Sequence, residues 1–216
     1  MLIAQRGSMS AGRLPYNEEV EYVHIPSGAW FDTGYSGIRS TTGGFRGVLR
    51  ITAWSDDSYD SYWGTVVLGG SEAFCFRRYD RSQEVYAMLD HPQFGRFGVA
   101  PDTWLEVEMN AGVFDRRMYA DGVLRAEVQT WGHYLYPASV YVGALSYAGH
   151  NEVVKPQSEF DLKSFSLYDN SLARPLVRDF IPVRIGTEAA FYDRVTGEVG
   201  TSIGTAPLQL PAEGGV

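Results

Sequence analysis

Close to the C-terminal end, three extended segments follow one another: FDLKSFSLYDN, SLARPLVRDFIPVR and AAFYDRVTGEVG, with turn chemistry between them and no helical period. In the first, apolar side chains fall at Phe160 and Leu162 and then at Phe165 and Leu167. The alternation slips by one residue near Lys163 and Ser164, which predicts a β-bulge. The second is apolar on both faces (Leu176, Val177, Phe180, Ile181, Val183) apart from Arg178 and Asp179, the pattern of a strand covered on both sides. The third ends in Asp193-Arg194-Val195-Thr196-Gly197, where Gly197 can take the positive φ of a bulged hairpin turn.

The same rhythm runs upstream. Phe45, Gly47, Leu49, Ile51 and Ala53 alternate with Arg46, Arg50 and Thr52, and Leu105, Val107 and Met109 share a face opposite Glu106 and Glu108. Further strands are expected at Glu19–Tyr22, Thr65–Leu68, Ala73–Tyr79, Glu84–Asp90, Arg116–Ala120, Val123–Gln129 and Ser139–Leu145, with Asp121-Gly122 as a two-residue hairpin turn. Ser36–Gly44 reads as a loop, Ser55–Gly64 as an acidic loop and Thr130–Pro137 as an aromatic loop. Strands spaced by ~8–12 residues with turns between them form a sandwich or jelly roll. No fixed repeat is present, which disfavours a propeller or solenoid.

Two stretches carry a family resemblance. The run KSFSLYDN, LVRDFIP, AAFYDRVTGEV, with the opening EVEYVHIPSGAWFDTGY, resembles the last and first strands of a laminin-G-like, concanavalin-A-like jelly-roll family of bacteriophage and gut-bacterial surface proteins. The likeness spans about Tyr16 to Leu208; between its ends it rests on strand rhythm alone. Ser171–Pro175 lengthens the connection after YDN, and Val183 stands where many relatives have Cys. The resemblance implies an all-β fold, an antiparallel two-sheet jelly-roll sandwich. Residues 1–14, small and aperiodic, then form a flexible N-terminal arm, 15–210 the jelly roll and 211–216 a tail.

For 216 residues, one sandwich is a comfortable use of the chain, and 24 Gly with 14 Tyr suit short strands and tight turns. A net charge of −8 argues against nucleic acid, which needs clustered Lys and Arg. The one basic cluster, Arg77, Arg78 and Arg81, reads as a solvated strand end. Cys75, between Phe74 and Phe76, has no partner for an internal disulfide and reads as a small core residue. No stretch is apolar enough to insert in a membrane, and the run from Met1 to Arg6 is too short for a secretory signal.

Retaining glycoside hydrolysis needs two carboxyl groups ~5–5.5 Å apart, which enzymes of this fold place on one bulged strand as Glu-x-Asp-x-x-Glu. Here the nearest match is Glu159-Phe160-Asp161-Leu162-Lys163-Ser164, and a hydroxyl at Ser164 cannot act as the general acid. No Gly-x-Ser-x-Gly elbow is present, and the four His (24, 91, 133 and 150) lack zinc spacing. No enzyme is expected, and no cofactor. A loop calcium lacks its EF-hand motif, because Ser61 replaces the sixth-position Gly and Val67 the final Glu.

Two loops carry the candidate ligand or partner contacts. The first holds Asp56, Asp57, Tyr59, Asp60, Tyr62 and Trp63; the second holds Trp131, His133, Tyr134 and Tyr136. Sugars offer apolar C–H faces and dense hydroxyls, so rings to stack on beside carboxylates suit a glycan. The competing reading of the first loop is an ordinary acidic turn with its aromatics packed inward. With the resemblance, the expectation is a non-enzymatic accessory virion or surface module that binds cell-surface or mucus glycans, as a homo-oligomer or within a larger particle. The alternative is a structural decoration or fibre subunit whose partners are other virion proteins, and a glycoside hydrolase stands third.

Overall fold

The computed structural model describes residues 14–56, 60–66, 73–89, 93–113, 115–127, 134–147, 153–154 and 158–212. Of the expected arm only Leu14 falls within them, and of the tail only 211–212. The strands of the first half are β1 (Glu18–Glu19), β2 (Val23–Ile25), β3 (Phe31–Asp32), β4 (Ile38–Arg39), β5 (Gly43–Ala53), β6 (Ser61–Val66), β7 (Ala73–Arg78), β8 (Glu84–Leu89) and β9 (Gln93–Gly98). Then come β10 (Trp104–Met109), β11 (Arg117–Ala120), β12 (Val123–Glu127), β13 (Leu135–Tyr136), β14 (Tyr141–Val142), β15 (Leu145–Tyr147) and β16 (Val153–Val154). The last are β17 (Glu159–Asp169), β18 (Leu176–Ile185), β19 (Glu188–Asp193) and β20 (Val199–Gly200). No described residue is helical.

The strands form two large sheets. One runs β12-β11-β10-β5-β17-β18-β19-β20, with β2 added to β17 and β1 to β18; the other runs β16-β15-β6-β7-β8-β9, with β14 joining β6 to β3. A small third pairing, β13 with β4, lies inside stretches expected to be loops. Among the described residues every strand pairing is antiparallel except β15 with β6, which is parallel. Phe45, Leu49, Val107, Phe160 and Phe165 of the first sheet meet Trp63, Phe74, Phe76, Val85 and Ala87 of the second in one core. Trp63 sits at its centre, stacked on Phe76 at 4.9 Å and packed on Phe165 at 5.1 Å and Phe45 at 5.4 Å. The architecture is therefore an all-β two-sheet sandwich, as the rhythm predicts.

The turn chemistry acts as expected: Asp121 and Gly122 both take positive φ (51° and 72°), the geometry of a two-residue hairpin turn, and Gly197 has φ 79°. The register of β17 against β5 shifts between Leu162 and Ser164, where the apolar alternation slips. This bulge divides the free side of β17: Phe160–Leu162 pair with β2, and Phe165–Tyr168 pair with β18. Two expectations need correction. On β18, Val177, Phe180 and Val183 are buried but Leu176 is exposed and Ile181 half-buried, so one side stays open. Arg78 is buried, not solvated, because its guanidinium reaches back to Asp60 and donates to the Ser55 and Ser82 carbonyls. Strand β9 was not foreseen, since Gln93-Phe94-Gly95-Arg96 shows no clean alternation.

Candidate functional site

In the first candidate loop the described aromatics are packed inward, as its competing reading has it. Tyr62 and Trp63 belong to β6, and both are buried although consecutive strand residues normally point to opposite faces. A register shift between Ser61 and Trp63 explains this: the bulge turns both rings into one core, Tyr62 onto Phe160 at 5.3 Å. Asp60 is buried too, accepting hydrogen bonds from the hydroxyls of Ser55 (2.7 Å) and Ser158, with Arg78 Nη1 at 3.4 Å. Tyr136 is wholly buried on β13, 6.4 Å from Phe74. These four are structural residues and present nothing to a ligand at the surface. Asp56 and Tyr134 are exposed. Asp57, Tyr59, Trp131 and His133 lie outside the described residues.

Exposed chemistry converges instead on the outer face of the first sheet. Register places Trp104 of β10 opposite Arg50 of β5, Arg50 opposite Asp161 of β17, and Asp161 opposite His24 of β2. These four lie in a row across four strands, on the side away from the core residues Leu49, Ile51, Leu105, Phe160 and Leu162. Tyr22, immediately before β2, stands two residues from His24, and Lys163 is the extra residue of the β17 bulge. That bulge turns both Lys163 and Ser164 outward, because Phe165 resumes the inner face.

Asp161 is the hub. Although on the outer face it is 2% exposed, since its partners cover it. Arg50 donates Nε (2.9 Å) and Nη2 to its Oδ2, and His24 Nδ1 lies 2.8 Å from its Oδ1. That carboxylate hydrogen bond holds the Arg50 guanidinium above the ordinary arginine range. The arginine is also flanked by rings, its Cζ lying 4.9 Å from the Trp104 centroid and 5.2 Å from that of Tyr22. The two rings meet edge to face at 5.7 Å, and both are half-buried. Lys163 Nζ lies 4.1 Å from the Trp104 centroid and 2.7 Å from Glu21 Oε1. Glu159, 41% exposed, brings Oε2 to 3.7 Å from His24 Nε2.

Such a surface can stack a flat apolar ligand face and exchange several hydrogen bonds with hydroxyl groups. It is poorly arranged for two-carboxylate hydrolysis. Glu159, Asp161 and Ser164 do stand on the outer face of one bulged strand, but Asp161 is sealed by Arg50 and His24, and Ser164 has no carboxyl to offer. Among the described residues no group of three His, Cys, Asp or Glu side chains converges as a metal site. Glu106 and Glu108 flank Arg46 on the same solvated face, as the alternation implies.

Tyr22, Arg50, Trp104 and Lys163 were absent from the expected contacts. Their signal is present in the alternation: Trp104 alternates with Leu105 on β10, and Tyr22, just before β2, with Val23, each an aromatic beside a buried apolar residue.

No family model matches the sequence, and no curated protein does. The fold is similar to a crystal structure from Bacteroides ovatus, a candidate carbohydrate binding protein, with TM-score 0.60 and 12% identity over 90% of this chain and 61% of that one. The chain thus spans about three fifths of that protein's length, and at this identity the likeness is one of fold.

Proposed function

We propose that the protein is a non-catalytic carbohydrate-recognition module whose glycan lies on the outer face of the first sheet, against Trp104 and Tyr22. The observation that carries this reading is the solvent-facing pair of half-buried rings, ringed by ion-paired polar side chains that fix its shape. A sugar stacks its C–H face on a ring and exchanges hydrogen bonds at its rim, and the cluster supplies both needs. Arg50 is locked by Asp161. Lys163 is held by Glu21, which is 64% exposed, and such a pair is worth at most ~1 kcal/mol, so a sugar ring can displace it from the indole. The carbohydrate-binding description of the Bacteroides ovatus neighbour supports the same class.

The setting follows the family resemblance: a virion or cell-surface protein engaging cell-surface or mucus glycans, as a homo-oligomer or within a particle, and using no cofactor. A second reading, the structural subunit, draws on Val123 (52%) and Leu124 (48%), two apolar side chains exposed on the edge strand β12, where another subunit could pair. Glycan-array binding separates the two. Wild type binds a defined set of glycans, and Trp104→Ala weakens that binding by about 2 kcal/mol, roughly thirty-fold, as expected for an aromatic anchor. A wild type that binds no glycan yet forms a stable oligomer overturns the first reading in favour of the second.

A further inference from the structure

Resting on the glycan reading, we infer that the site takes a neutral sugar and reads a vicinal diol on it through His24 Nε2 and Glu159. On the rows from Trp104 to His24, each cation already has a carboxylate of its own chain. Arg50 has Asp161, Lys163 has Glu21, and Arg46 has Glu106 and Glu108. An anionic sugar would have to displace a resident carboxylate, on a protein whose net charge is −8. A neutral sugar meets a compensated array of donors and acceptors.

The diol assignment comes from two atoms. The Asp161 carboxylate accepts the Nδ1–H of His24, which leaves Nε2 as the ring nitrogen turned toward Glu159. Nε2 lies 3.7 Å from Glu159 Oε2, too far for a direct hydrogen bond. The two atoms stand side by side at the surface, on side chains 22% and 41% exposed, within reach of one ligand edge. Neighbouring hydroxyls on a pyranose present two O–H groups at similar spacing, each able to donate over ~2.7–2.8 Å. Tyr22, two residues before His24 and packed beside Arg50 and Trp104, is placed to take the adjoining ring face.

The test uses affinity electrophoresis in gels containing α-1,4-glucan, β-1,4-mannan or β-1,4-galactan, whose internal residues keep both neighbouring free hydroxyls and a free primary alcohol. Linear β-1,3-glucan, whose internal residues do not, is the control. Each polymer is also run after periodate cleavage and after oxidation of its primary alcohols to carboxylates. We expect retardation by at least one of the first three, a loss of tenfold or more after either treatment, and no retardation by the control. Glu159→Ala weakens binding about tenfold at unchanged melting temperature, and Glu159→Gln, which keeps an acceptor oxygen, retains most of it. Equal binding of periodate-treated polymer, of the β-1,3-glucan or of the carboxylated forms overturns the neutral-diol assignment and leaves the glycan reading standing. Retardation by none of the polymers, with an empty glycan array, sinks both.

Discussion

Trp63 and Trp104 are the same residue type, one on each sheet, with opposite fates. Trp63 is wholly buried among Phe45, Phe76 and Phe165, whereas Trp104 rests half-buried beneath two cations on the outer face. Trp63→Ala is therefore expected to cost ~3–5 kcal/mol in urea denaturation, because a large cavity opens between the sheets. Trp104→Ala removes no core volume, so its main effect falls on binding. A Trp104→Ala protein that lost as much stability as Trp63→Ala would mean that the ring is structural. Neither fate was legible from composition. Trp63 looked like a loop aromatic beside Asp56, Asp57 and Asp60, and only the bulge after Ser61 reveals that Tyr62 and Trp63 both turn inward.

At the scale of the element, β5 and β17 form the spine of the first sheet, and both were visible in the sequence because one side of each is sealed by core. The β17 bulge was legible for the same reason: a slip in register must move an apolar side chain, so it leaves a trace in the alternation. Strand β6 was misplaced because its bulge hides the alternation, and β9 because glycine interrupts it. Packing then explains why β5 carries a glycine in mid-strand. A Cβ on Gly47 would lie 2.7 Å from Cη2 of Trp63, so the indole fits only against a bare backbone. Gly47→Ala should overpack the core and destabilise by ~1–3 kcal/mol, measured as a shift of the urea midpoint at constant m-value. A neutral result would show that Trp63 can move aside.

Across the whole molecule, buried polar groups fasten loops to the sandwich at points far apart in sequence. Asp60 ties Ser55, Arg78 and Ser158 together beneath the first acidic loop. Tyr35, after the Asp32–Gly34 turn, donates its hydroxyl to Asp169 at the end of β17 over 2.9 Å. Burial pushes the Tyr35 phenol up to about 12, and the bond to Asp169 adds to that. Burial alone would raise Asp169, but hydrogen bonds from the Ser171 hydroxyl and backbone N–H and from Tyr35 outweigh it and hold that carboxyl below its ordinary value of 3.8.

The signs of the two linkages are opposite. Asp169 binds its proton less readily when folded, so its contribution is present above pH 3.8 and is lost as pH falls through the lower folded value. Tyr35 holds its proton more readily when folded, so its contribution is complete below pH 10 and is lost between pH 10 and about 12. Tyr62, raised by burial in the core, steepens the same alkaline limb. Tyr35→Phe separates the two limbs, since it deletes a titrating phenol and a donor to Asp169 together. In chemical denaturation across pH, the variant should show a shallower alkaline decline and a smaller acid decline, which starts at the same pH but levels off at a higher one because the folded Asp169 value moves toward 3.8. If both limbs matched wild type, the Tyr35–Asp169 bond would not couple the turn to the sheet, and the closing of this end of the sandwich would rest on apolar packing alone.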